Sequence, residues 1–159
     1  MIKFTLKSLI ISLGVFFLSS FLKSKVTYQT ECISIQSDGS VAFKIWDTKK
    51  GDKYTSEQAR KDAIHAVLFS SVSGGAGCTT QPPILNTSEE QNNFKAIEKS
   101  FFAKNGKWAV YTRNSTTETT LPTSLGENNW KVYQVSVSKN ELRNFLEEQK
   151  VIKSLNQGF

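Results

Sequence analysis

The chain has 159 residues, of which 38% are hydrophobic and 11% aromatic, and a formal net charge of +6. That length suits one domain and excludes two of ordinary size, while eleven Phe and three Trp supply a core without metals or a disulfide framework. The positive charge is moderate and scattered, which is unlike the basic stripe of a dedicated nucleic-acid binder.

Met1 to Lys7 carries two lysines and no acid, and Ser8 to Phe21 is almost wholly apolar or small. A charged segment followed by such a run is the pattern of a secretory leader. The apolar stretch ends at Leu22 and falls short of the ~20 residues that cross a bilayer comfortably, so residues 1–22 are expected to be a signal peptide. Lys23 and Lys25 flank the run like a stop signal, which keeps an uncleaved membrane anchor as the alternative. A lipid anchor is not expected, because Cys32 follows the polar Gln29-Thr30-Glu31.

Residues 26–159 then read as a single α+β domain. VTYQTECISIQ and VAFKIW, separated by Ser37-Asp38-Gly39-Ser40, form a β-hairpin in which Val41, Phe43 and Ile45 share one face. The group Lys49, Lys50 and Lys53 beside Asp47 and Asp52 reads as a solvated turn, with a patch for an anionic lipid, glycan or nucleic acid as the sharper alternative. Thr55-Ser56-Glu57-Gln58 fits a capping box and opens a helix to about Ser71, whose Ala59, Ala63, Ala66 and Val67 make a small-residue face. The glycine-rich stretch 70–83 ends in Pro82-Pro83 and is the main loop. Thr87-Ser88-Glu89-Glu90 starts a second helix with Phe94, Ile97, Phe101 and Phe102 on its apolar face, stopped at Asn105-Gly106. Strands are expected over Lys107 to Thr117 and from Trp130 to about Ser136, as antiparallel neighbours, with the polar connection TTETTLPTSLGENN between them. Ser138-Lys139-Asn140-Glu141 begins a last helix that turns Leu142, Phe145 and Leu146 inward. The order β-β-α-α-β-β-α implies a mostly antiparallel four-stranded sheet with helices on one face.

Few residues suggest chemistry. His65, the only histidine, lies three positions after Asp62 on the first helix; with Ser71 or Ser73 it would make a hydrolase, and otherwise it is a partly buried structural residue. Gly74, Gly75 and Gly77 could present backbone amides to a ligand, but Cys78-Thr79-Thr80 follows them instead of the Gly-Lys-Ser/Thr of a phosphate loop. Trp108 and Trp130, interleaved with basic residues, could stack sugars on an exposed sheet face or could belong to the core. Cys32 and Cys78 either pair, as an oxidising compartment permits, or stay as two buried thiols; their wide spacing does not suit a redox or zinc motif. No cofactor and no metal is expected.

The runs EQARKDAIHAVLFSSVSGGAG and QPPIL, with FFAKNGKWAVYTR and VYQVSVSKNELRNFLEEQKVI further on, resemble uncharacterised exported proteins of Bacteroidota over most of the body. The arrangement is also similar to the N-terminal α/β domain of the flagellar T-ring protein and of related envelope lipoproteins, from which this chain departs in lacking a lipobox Cys. The resemblance implies a non-enzymatic scaffolding or assembly role in the cell envelope; together with the export signal and the absence of a catalytic constellation it leads to the expectation of a protein partner, and export itself argues against nucleic acid. A module binding a small polar ligand or glycan through the 70–83 loop and nearby aromatics is the alternative.

Overall fold

A computed structural model describes residues 26–74, 78–120 and 130–154, with the backbone alone for 115–120. Alternation of apolar and polar residues drives the first hairpin, β1 (Tyr28–Ile35) and β2 (Val41–Asp47), with β2 buried at every second position. Its turn needs Gly39, which sits at φ +80° and is approached so closely by the Asn140 amide that a Cβ would collide. Asp38 Oδ1 accepts from the Ser40 amide at 2.8 Å to close it.

A short 3-10 turn (Gly51–Lys53) leads to helix α1 (Ser56–Phe69), followed by α2 (Ser88–Phe101). Thr55 caps α1 by accepting from the Gln58 amide at 3.2 Å, but the Gln58 side chain turns to Asp62 instead of reaching back. At α2 the box is complete: Thr87 Oγ1 accepts from the Glu90 amide, and Glu90 Oε2 accepts from the amide of Thr87 at 3.0 Å. The chain then makes a 3-10 turn (Lys107–Tyr111), strands β3 (Thr112–Thr120) and β4 (Lys131–Val137), and helix α3 (Lys139–Glu148).

All pairings are antiparallel and the strand order is β1-β2-β4-β3, giving the α+β sheet. Phe43 and Ile45 of β2, with Val135 and Val137 of β4, join Ala59, Ala63, Ala66, Leu68, Phe94, Phe101, Leu142 and Leu146 in one core. The alanines, all fully buried, leave room for α1 to lie close on the sheet and join the larger side chains of both layers in that core. It crosses obliquely: Arg60 reaches Thr112 of β3, whereas His65, further along, reaches Tyr28 of β1. Phe101 stacks on Phe145 with centroids 5.7 Å apart and ties α2 to α3.

The strand expected from Lys107 begins at Thr112, because the preceding residues are pulled inward. Trp108 Nε1 donates to the Ala103 carbonyl at 2.9 Å, and Arg60 donates to the carbonyls of Ala109 and Thr112 at 2.7 and 3.0 Å. These bonds satisfy carbonyls that a strand would have paired with a neighbour. The third expected capping box is also absent: Ser138 makes no side-chain cap, and its carbonyl accepts from the Leu142 amide.

Candidate functional site

The 70–83 loop is strapped to the sheet. Val72, 1% exposed, exchanges two backbone hydrogen bonds of 3.0 Å with Gln81. The amides of Ile84 and Leu85 donate to the Val67 and Leu68 carbonyls at the end of α1, satisfying groups a helix terminus leaves open. On the other limb, the Ser73 carbonyl accepts from the Cys32 amide at 3.1 Å, along the edge of β1 that β2 does not use. A Cys32–Cys78 disulfide with Cα atoms 6.0 Å apart holds the same place, and a shift in β1–β2 register follows Cys32. An edge strand so covered is protected from pairing with other chains. Gly74 lies so near the Cys78 carbonyl and the Thr80 amide that a Cβ would stand 2.9 and 3.0 Å from them, whereas Gly75 and Gly77 lie outside the described residues. Lys139, at the start of α3, donates to the Pro82 carbonyl at 3.1 Å; burial pulls its ammonium below the usual lysine range.

The two tryptophans do not form one surface. Trp108 is 3% exposed, with the Arg60 guanidinium 5.1 Å and the Lys61 ammonium 5.0 Å from its ring, so it belongs to the core and not to a binding face. Trp130 is half-buried just before β4. Thr112 faces Val137 and Thr120 faces Lys131, which puts the entries to β3 and β4 at opposite ends of their ladder, about 20 Å apart at the rise of a strand.

A polar cluster unmarked by any local motif lies under α1. Tyr28 Oη and His65 Nδ1 are 2.7 Å apart. Burial pushes the Tyr28 phenol up to about 12, so it stays protonated and donates. Burial likewise lowers the His65 imidazole, against the attraction of Asp62, so it remains a neutral acceptor. Asp62 accepts from Tyr54 Oη at 2.9 Å and from Gln58 Nε2 at 2.7 Å, and its burial raises the carboxyl above its ordinary range. Tyr54 is fully buried, and its backbone carbonyl accepts from Tyr133 Oη at 2.9 Å. At the end of β2, burial works to raise Asp47, but the Thr27 hydroxyl at 2.6 Å and the Lys49 and Lys50 amides outweigh it and hold the carboxyl low. His65 Nδ1 is thus committed to Tyr28, whereas Ser71 and Ser73 sit exposed on the strap. Tyr28 and His65 are 37 residues apart. Local sequence places Asp62 beside His65 but marks Tyr28 by nothing more than an aromatic on a strand.

The second face of the sheet carries a different set. Cross-strand pairing aligns Gln29 with Trp46 and Val132, Glu31 with Lys44 and Gln134, and Ala42 with Ser136 and Arg113. Gln29, Glu31 and Arg113 are exposed; Ala42, Lys44, Trp46 and Ser136 are half-buried; Val132 is buried, but Val132 and Trp46 stand outside the helix-side core. At the end nearest the β1–β2 turn this face opens into a notch of about 240 Å³ lined by polar residues, among them Asp38, Ser40, Arg113 and Ser138. Hydrogen bonds from Ser40, with a smaller attraction to Arg113, hold the Asp38 carboxyl low. A larger depression of about 770 Å³ between α2 and α3 is rimmed by charges of both signs, including Glu90, Arg143, Glu147 and Lys150.

Among the described residues no group of three or more His, Cys, Asp or Glu is placed to hold a metal ion, and no helix is long and apolar enough to cross a membrane. Compared with family models, with curated proteins and with solved structures, the chain matches none.

Proposed function

We propose that the chain is an exported envelope protein whose domain binds another protein through the second face of its sheet. The observation that carries the reading is the division of the sheet: one face holds the core with all three helices, and the other runs from Trp46 at one end, through Glu31 and Lys44, to Arg113 and a polar notch at the other. Trp46 and Arg113 are of the residue types enriched at protein interfaces, and the charged and small polar groups between them suit the polar rim of one. The basic, apolar leader supports export, and the disulfide between Cys32 and Cys78 suits an oxidising compartment. A scaffolding or assembly role is the specific form of the proposal.

Site-specific photo-cross-linking in the producing cell tests it. A cross-linking side chain at Glu31 or Lys44 is expected to give a discrete protein adduct, and one at Glu89 on the exposed side of α2 is expected to give none. Adducts from Glu89 alone, or from neither face, would overturn the reading.

A further inference from the structure

We infer that the end of the sheet where the chain enters the domain docks on an anionic phospholipid bilayer. Antiparallel pairing gathers three strand ends there: Tyr28 faces Asp47, Gln29 faces Trp46, and Trp46 faces Val132, with Trp130 two residues earlier. Trp46 and Trp130 are half-buried, and Val26 is 45% exposed. Lys49 and Lys53 are exposed immediately beyond β2, and Lys50 lies 3.8 Å from Asp47 with its ammonium 5.5 Å from the centre of the Tyr54 ring. These lysines meet Asp47 and Asp52, and the Asp47 side chain is fully buried and already bonded to Thr27 and two amides. Tryptophan sits at the headgroup level of a membrane, where its ring is half in hydrocarbon, and clustered lysines are drawn to anionic headgroups.

Chain length points the same way. Leu22, the last residue of the apolar run, precedes Val26 by four residues, a reach of at most about 14 Å. Where the leader stays uncleaved as an anchor, a bilayer holding residues 9–22 therefore keeps this end, and not the opposite one, beside the headgroups. Lys104 and Lys107 lie at that opposite end, before the start of β3. The inference shares with the proposed function the reading of the leader as a membrane-targeted segment and the side chain of Trp46, but its lysines lie off the sheet face and can be tested separately from a partner there.

The core runs from Tyr28 to Ile152, so the chain from Lys23 onward contains all of it. That chain is floated with vesicles of phosphatidylcholine alone and of phosphatidylcholine with phosphatidylglycerol. It is expected to bind the anionic vesicles only, and raised salt should release it. The double variant Lys49→Glu/Lys53→Glu should weaken binding by about 25-fold or more, at roughly fivefold per lysine. Lys104→Glu/Lys107→Glu, with the same change in net charge, should leave binding nearly unchanged. Equal binding to both vesicle types, or equal loss in the two double variants, would overturn the inference. Because Glu31 and Lys44 are untouched in both, sheet-face adducts in the full chain report on the partner separately.

Discussion

Opening the Cys32–Cys78 bridge should cost the domain a large part of its stability. The bridge closes a segment with a sequence separation of 46, and the chain entropy restored to the unfolded state by cutting such a loop is worth about 4 kcal/mol. Domains of this size are stable by only ~5–15 kcal/mol, so the loss is felt across the whole fold. The strap should suffer first, since Ser73 then depends on one backbone bond to Cys32, and Val72 on its exchange with Gln81. Urea unfolding of the oxidised protein, the reduced protein and the Cys78→Ser variant measures the effect. With a slope of roughly 2 kcal/mol per molar urea, the midpoint should fall by about 2 M in both altered forms. Cys32 is 2% exposed and stays as a buried thiol in the variant, so its packing is little changed. Midpoints that coincide in all three forms would refute the argument and reduce the bridge to an accessory of a loop already held by its backbone bonds.

Three further perturbations probe the packing. Arg60→Ala removes donors to Ala109 O, Thr112 O and Thr112 Oγ1 and the cover over Trp108, and should destabilise by about 2–4 kcal/mol in chemical denaturation; Arg60→Lys should recover little, because an ammonium lacks the fork that spans these acceptors. Gly106→Ala would drive a Cβ into the Phe101 carbonyl and within 2.9 Å of the Ser100 carbonyl, at a cost of about 1–3 kcal/mol visible as a lower Tm. His65 has a folded pKa below its ordinary value of 6.5, so the unfolded chain takes up its proton first as pH falls. Its contribution to stability is therefore unchanged above that value and declines as pH drops from 6.5 toward the folded pKa. His65→Gln should flatten that part of a plot of urea midpoint against pH, and an unchanged slope would show that other groups produce it.

The architecture was legible where local chemistry and tertiary packing agree. Alternation in VAFKIW gives β2, and the Thr87 box gives α2 with both of its reciprocal bonds. It failed where a distant side chain outbids the local pattern. KWAVY alternates like a strand, yet Arg60, 49 residues before Ala109, takes that carbonyl and bends the segment into a 3-10 turn. Gln58 fits a capping box, yet its side-chain amide donates to Asp62 on the next turn in a half-buried setting, and the reciprocal bond to the Thr55 amide is not made. The candidate sites were less readable for the same reason. A tryptophan reads alike whether its ring faces solvent or Arg60, and the row Glu31, Lys44 and Gln134 exists only once the register of three strands is set.

The most direct test of the central claim, an exported domain closed by a disulfide, is the intact mass of the protein from fractionated cells after thiol alkylation, with and without prior reduction. The account predicts recovery outside the cytoplasm, with neither Cys32 nor Cys78 alkylated until the protein is reduced. A full-length chain in the cytosol with both thiols alkylated at once would contradict it.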